Sequence, residues 1–519
     1  MIKAPHTLAM ALLSLIVLTA CDNKQYAIGS DPHGFSAPTA ATIEKNQNVY
    51  QQLPIDDEQD FIQANRGLIA QANNLKVKTN DGTTIWDTSA YGFVNNKAPN
   101  SVNPSLWRQE TLNNIRGLFK VTDSVYQIRG FDFANMTIIE GDTGWIIVDP
   151  LTSIETAKAA LAFAKQHLQP KPIKAIILTH AHMDHFGGIQ GVASLEEIKQ
   201  QKIRVIAPSG FMEAATSENV LAGIAMARRS GFMYGKDLPR SERGHIGSGL
   251  GTGPAYGNFS IVEPTETITE TGTTKKIDGV KFVFQNAPGS ESPAELTFYL
   301  PELNAFCGAE LVSRNMHNLY TLRGAQVRNA QHWSRYINNA LELFGQADIY
   351  FGSHHWPIWG NQEVKGFLEK QRDLYQFIHD QTVRMINMGL NADEIAQQIK
   401  LPDSLGKYFA NRGYYGTLSH NAKAVYQFYM GWYDANPANL NPLPSEQSAS
   451  DYVELMGGTD IVLQKSQQYF AKGNYRFAAE LLNKLVFSDS DNQSARALLA
   501  KTYEQLGYQS EAGSWRNAY

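Results

Sequence analysis

The chain has 519 residues, 43 per cent of them hydrophobic and 18 per cent charged, enough for two or three globular domains. Its formal net charge is −5 and no Lys/Arg block stands out, which argues against an electrostatic nucleic-acid footprint. Two cysteines, Cys21 and Cys307, cannot build a disulfide framework.

The N-terminus reads as an address. "MIKAPHTLAMALLSLIVLTAC" has Lys3, an apolar run of signal-peptide length and then "LTAC", which resembles a bacterial lipoprotein signal cut before Cys21. A lipid on Cys21 would hold the protein to a membrane, facing the periplasm, and Asp22 hints at the inner membrane. Residues 22–45 then read as a flexible tether, with a catalytic domain expected over 46–362.

Within that domain, "GWIIVDP" (144–150) and "IKAIILT" (173–179) are short β-branched runs with the character of buried strands. Between them, "SIETAKAALAFAKQHL" (153–168) opens on a Ser cap, carries Glu in its first turn and has helical spacing. Strand, helix and strand thus lead into "LTHAHMDHFGG" (178–188), which packs His180, His182, Asp184 and His185 into six positions. Ligands of open α/β layers collect at the carboxyl ends of strands, where both Asp149 and this cluster fall. Alternate residues of an extended loop project to one side, so His180 and His182 can share one ion while Asp184 and His185 face a neighbouring one. Nitrogen and oxygen donors without a redox ligand set make zinc the default metal.

Three later stretches place further strands. "VKFVFQNAPGSESPAELTFYL" (280–300) reads strand, Pro-Gly turn, strand; "NAFCGAELV" (304–312) and "ADIYFGSHHWPIWG" (347–360) each carry a strand that ends in polar residues. Cys307 lies in one of these and is expected as a buried free thiol. From about Glu363 the strand signals stop. "VKGFLEKQRDLYQFIHDQTVRMINMGL", "NADEIAQQIKL" and the aromatic "KAVYQFYMGWYDANPANL" (423–440) read as helices of a second domain over 363–519. Its last part has the spacing of one tetratricopeptide-like hairpin; a single unit makes no groove, so packing is expected of it rather than peptide binding.

H-x-H-x-D-H after a β-strand resembles the metallo-β-lactamase fold, an αββα sandwich whose members usually hold two metals about 3.5–4 Å apart around an activated water. "PGSESPAE", "GAE" and "SHHWP", together with "MHNLYTLRGAQVR" (316–328), resemble the zinc-dependent alkylsulfatases built on that fold, in matching order from about residue 103 onward. The resemblance implies an α/β fold class, a metallo-β-lactamase αββα sandwich followed by an all-α dimerisation domain, and hence a homodimer. It implies that His180, His182 and Glu291 bind one zinc, that Asp184, His185 and His355 bind the other, and that Glu310 bridges them. His354 is the alternative to His355, and Asp149 is expected to orient a ligand or cap the strand rather than bind metal. Arg323 and Arg328 are expected to grip the anionic sulfate, with Tyr415 or Tyr414 reaching it from the helical domain. His317 is expected to protonate or hold the leaving sulfate.

The activity so implied is hydrolysis of alkyl sulfates such as dodecyl sulfate by a dizinc-activated hydroxide, with Asp184 and His317 as the catalytic residues. Attack at carbon is favoured for secondary esters. Another dizinc hydrolase, such as a phosphodiesterase, or a non-catalytic metal-binding scaffold are the alternatives, and the two glutamates with "YTLRGAQVR" count against the first. Many alkylsulfatases continue into a sterol-carrier-like domain, whereas this sequence ends at Tyr519.

Overall fold

The computed structural model describes residues 31–95 and 97–519. The expected signal and Cys21 lie outside the described residues. Among those described, no helix is long and apolar enough to cross a membrane.

Two sheets form the centre. The first has eight strands and runs, edge to edge, Leu68–Gln71, Gly117–Lys120, Val125–Arg129, Met136–Glu140, Trp145–Val148, Ile173–Ile177, Arg204–Pro208 and Glu266–Ile268. It is antiparallel up to Trp145–Val148, and parallel from there on. The second sheet has six strands, from Thr274–Ile277 to Ile358–Trp359, with Ala305–Cys307 parallel to Ile349–Phe351.

Period-two alternation sets the layers. Ile146, Val148, Ala175 and Ile177 point inward to meet Phe282, Phe284, Leu296 and Phe298 of the second sheet. Their neighbours Trp145, Ile147 and Ile176 point outward, against Ala157, Ala160, Leu161 and Ala164 of helix Ile154–His167. That helix starts as its sequence reads: Ser153 caps it by accepting from Thr156 N, and Lys165 and His167 close it near the negative dipole end. On the far side, Phe306 and Tyr350 pack against Trp333 and Ile337 of helix Ala330–Phe344 and Phe367 of helix Asn361–Asn387. The result is the expected αββα sandwich followed by an all-helical region.

Two expectations about boundaries differ from the structure. Helix Asn361–Asn387 joins the two regions, since Val364, Phe367, Leu368 and Leu374 fill the same cluster as Phe306 and Tyr350 while Met385 packs with Ile395 and Tyr426; the division at residue 363 falls inside a shared core. The described part of the expected tether is also tied down. Ser36 N donates to Glu504 Oε2 (2.9 Å), Thr39 N to Gln505 Oε1 (3.0 Å) and Tyr508 Oη to Ser36 O (2.9 Å), and helix Ala40–Gln52 begins at a Thr39 cap. Polar residues without apolar spacing look like linker in sequence, and here they gain order from buried hydrogen bonds to Gln505. Part of helix Gln493–Gln509 of the C-terminal hairpin is thus covered by the chain's own N-terminal segment. Cys307 is a buried free thiol, as expected.

Candidate metal centre

Every residue of the centre follows a strand of one of the two facing sheets. His180, His182, Asp184 and His185 follow Ile173–Ile177, with a short helical turn at Met183–Phe186 carrying Asp184 and His185. Glu291 lies on the Pro-Gly turn after Val280–Asn286, Glu310 follows Ala305–Cys307, and His354 and His355 follow Ile349–Phe351. The backbone turns sharply at these ends: Asp149, Ala309 and His355 have φ of 54°, 48° and 60°. Left-handed conformation is costly for residues with a Cβ and concentrates at functional sites.

The side chains form two groups that share Glu310. His180, His182, Glu291 and Glu310 bring one ligand atom each within 4.8 Å of one another, as do Asp184, His185, Glu310 and His354. His180 Nε2 lies 3.4 Å from Glu291 Oε2 and 3.2 Å from Glu310 Oε2; His182 Nδ1 lies 2.7 Å from Glu291 Oε2. In the second group Glu310 Oε2 is 3.1 Å from His185 Nε2 and 3.2 Å from His354 Nε2, and Asp184 Oδ2 is 3.1 Å from His185 Nε2. The Nε2 atoms of His180 and His185 are buried and make no hydrogen bond of acceptable geometry despite these short approaches. Buried polar atoms rarely go unsatisfied. Imidazole and carboxylate atoms converging on two points, with one carboxylate common to both, fit a pair of divalent ions.

The structure brings His354, not the expected His355, into this arrangement. Its Nε2 faces Glu310 while its Nδ1 is 3.2 Å from Phe133 O. His355 turns away: its Nδ1 accepts from Arg314 N (3.1 Å) and its Nε2 donates to Gly249 O (3.2 Å). Both ring nitrogens of His355 are thus committed to backbone, and burial with His354 alongside pushes its pKa down to about 3.

The centre is held from behind. Asp149 accepts from Thr179 N (2.9 Å), Thr179 Oγ1 (2.7 Å), Ser353 Oγ (2.7 Å) and His185 Nδ1 (2.9 Å), which fixes the His185 tautomer with Nε2 toward Glu310. It is an orienting group, as expected of it. Burial alone would lower His185, and Asp184 and Asp149 outweigh that and hold it well above the ordinary imidazole range. Burial would raise Glu291, yet Arg328 and His182 keep it below the ordinary carboxylate range. Asp184, likewise buried but beside His185, is brought down to about 2.

A cavity of about 430 Å³ opens over the centre, lined at its floor by His182, Asp184, Glu291 and Glu310 and on its walls by Met183, Met226, Leu250, Tyr256 and Phe259. Arg323, Arg328 and Tyr415 also line it. Arg323 stands at the wall, half-buried. Arg328 is committed to protein groups: Nη2 donates to Glu291 Oε1 (2.6 Å) and Nη1 to Asn318 Oδ1 (2.6 Å). Tyr415 pairs its hydroxyl with that of Tyr234 (2.8 Å) and sets its ring edge-on to His317. His317 Nε2 is 3.0 Å from Glu310 Oε1 and Nδ1 donates to Asn318 O (2.9 Å), so it reaches the cavity through Glu310 rather than lining it. Tyr414 lies away from the cavity, bonded to Ser105 Oγ.

Two family profiles match, Metallo-beta-lactamase superfamily over residues 129–292 and Alkyl sulfatase dimerisation over 391–519. A linear primary-alkylsulfatase of a Pseudomonas species is 48% identical over 484 residues, covering 93% of this chain and 72% of that protein. An (R)-specific secondary-alkylsulfatase of a Pseudomonas species is 45% identical over 512 residues, 98% of this chain and 77% of that one. The chain belongs to the alkylsulfatase family. The solved structure of the stereoselective inverting sec-alkylsulfatase Pisa1 from Pseudomonas sp. is similar throughout, with a TM-score of 0.91 and 45% identity over 95% of this chain and 78% of that one.

For an alkylsulfatase-family centre, sequence reading left two contributors unnamed. Tyr234 lines the cavity beside Tyr415, and burial raises its phenol to about 12, so it stays a hydrogen-bond donor. Glu295 accepts from Ser290 Oγ (2.6 Å) and Glu291 N (3.0 Å), which locks the turn that presents Glu291. The acid in "PAEL" is the only local signal for the second; nothing around Tyr234 marks the first.

Proposed function

We propose that this chain hydrolyses alkyl sulfate esters to an alcohol and inorganic sulfate, using two zinc ions per chain. The observation that carries the reading is the pair of ligand groups sharing Glu310 beneath a cavity with both a guanidinium and an apolar wall. His180, His182 and Glu291 would hold one ion, Asp184, His185 and His354 the other, and Glu310 both. Bound divalent ions supply Lewis acidity that brings the pKa of a coordinated water toward neutrality.

The chain's own residues account for binding and orientation. Arg323 lines the cavity and would meet the sulfate head, and the hydroxyls of Tyr234 and Tyr415 would add donors on the same wall. Met183, Met226, Leu250 and Phe259 offer the alkyl tail an apolar surface. Arg328 and Asp149 keep Glu291 and His185 aimed. Sulfate needs no protonation to leave at neutral pH, which suits a His317 engaged with Glu310.

The dimerisation segment supports a homodimer. The reading "LTAC" supports lipid attachment at Cys21 and a periplasmic place on the membrane, which loss of the lipid label in a Cys21→Ser chain would test.

The deciding measurement is free sulfate released from dodecyl sulfate and from a secondary alkyl sulfate by metal-loaded protein, with an Asp184→Ala control. Release from either ester that disappears in the control is expected. A protein holding two metals that releases sulfate from neither, while cleaving a phosphate ester, would overturn the proposal.

A further inference from the structure

Helix Gly223–Met233 has two faces with different environments. Gly223, Met226, Ala227 and Ser230 line the cavity above the metal centre. The outer side of the same helix, with the turn that leads into it, bares aliphatic groups to water: Val220 is 70% exposed, Leu221 85% and Ile224 79%. Residues three and four apart share a helical face, so Ile224 continues along Arg228 to Phe232, which is 70% exposed. Phe259, also exposed, stands on the cavity wall. Aliphatic side chains grouped like this on one surface mark an interaction site.

We propose that this face docks the protein on aggregates of anionic alkyl amphiphiles, with the helix lying over the aggregate and the cavity mouth turned to it; the proposal rests on the sulfate-ester reading above. Three observations select that occupant. An apolar helical face bearing a cation suits a surface built of alkyl chains and anionic heads, into which Val220, Leu221 and Ile224 would enter while Arg228 meets a head group. The helix that would touch the aggregate is the one that walls the cavity, so a single amphiphile leaving the aggregate has a short path to Arg323. A second copy of the chain has a different apolar face available in the dimerisation segment, where Phe428, Met430, Trp432, Leu443 and Leu455 are exposed.

The test separates docking from catalysis. Partition of the metal-loaded full chain onto dodecyl maltoside micelles doped with dodecane sulfonate, which is not a sulfate ester, is measured for the wild type and for Leu221→Ser/Ile224→Ser. Sulfate release from monomeric octyl sulfate is measured in parallel. Removing two aliphatic groups from the contact is expected to weaken partition at least about tenfold. Release from monomeric octyl sulfate is expected to stay within about twofold, because neither side chain lines the cavity. Ile224→Trp is expected to bind micelles at least as well and to shift its fluorescence to the blue on doing so. Unchanged partition in the double variant overturns the proposal, as does a Trp signal that ignores micelles. Equal losses on monomer and micelle overturn it too, and so does a change of oligomeric state, which would give the face to a second copy. Stronger binding to phosphatidylglycerol vesicles than to the doped micelles would give it to a bilayer. If the wild type releases no sulfate, the enzymatic reading fails while partition still reports on docking.

Discussion

Arg328 grips Glu291 at two levels, with Nη2 on the carboxylate Oε1 at 2.6 Å and Nε on the main-chain carbonyl at 2.5 Å. The same guanidinium reaches Asn318 O at 2.8 Å, so one planar group joins the turn after the Pro-Gly bend to the segment after Glu310. This geometry needs a fork of donors, which lysine lacks. Arg328→Lys is therefore expected to lower metal affinity by about 10–100-fold, the usual cost of losing a group that aims a ligand. Titration of the metal-free protein with zinc checks it, and a wild-type affinity would return Arg328 to the substrate.

His354 and His355 should separate cleanly. His354→Ala removes a ligand atom facing Glu310 and is expected to leave about one metal fewer per chain by elemental analysis, with activity lost. His355→Ala removes the partners of Arg314 N and Gly249 O. It is expected to keep both metals and to cost about 1–3 kcal/mol of stability, seen as a lower Tm.

Asp149 accepts four hydrogen bonds, and an amide cannot accept on its nitrogen. Asp149→Asn leaves a donor facing His185 Nδ1, Thr179 Oγ1 or Ser353 Oγ. Sulfate release is expected to fall about 10–100-fold while the chain stays folded. Full activity would mean that His185 is aimed without it.

Glu110 offers a pH test outside the candidate metal centre. Its carboxylate accepts from Gly249 N at 2.6 Å, and burial pushes its pKa from an ordinary 4.5 up to about 8. Between those values the folded chain holds a proton that the unfolded chain has released, so this group makes stability fall as pH rises through that window and level off above it. Glu110→Gln keeps an acceptor for Gly249 without the ionisation. The variant is expected to lose that part of the slope and to exceed the wild type at pH 8, by an amount on the order of a few kcal/mol, in denaturant unfolding across pH. Parallel pH profiles for the two proteins would show that Glu110 ionises normally.

The local parts of this protein were legible in its residues. Alternating β-branched runs define Trp145–Val148 and Ile173–Ile177, Ser153 announces its helix, and three histidines with an aspartate after a strand announce a metal. These signals are short-range, because strand period, helix capping and the spacing of His180, His182, Asp184 and His185 are all settled within a few residues. The two glutamates needed the resemblance of whole blocks, since an isolated Glu carries little information.

Tertiary structure alone decided the rest. His354 and His355 are adjacent and chemically identical, and a left-handed φ of 60° at His355, with Arg314 and Gly249 waiting for its ring, sends them in opposite directions. Arg328 has the donors for a sulfate, and Glu291, 37 residues earlier in the chain, claims them. Residues 36–42 have the composition of a linker, and Gln505, more than 460 residues away, gives them their order. In each case the outcome depends on a partner that only the folded chain brings within hydrogen-bonding distance. Residue types therefore set which chemistry is available here, and packing assigns it to particular atoms.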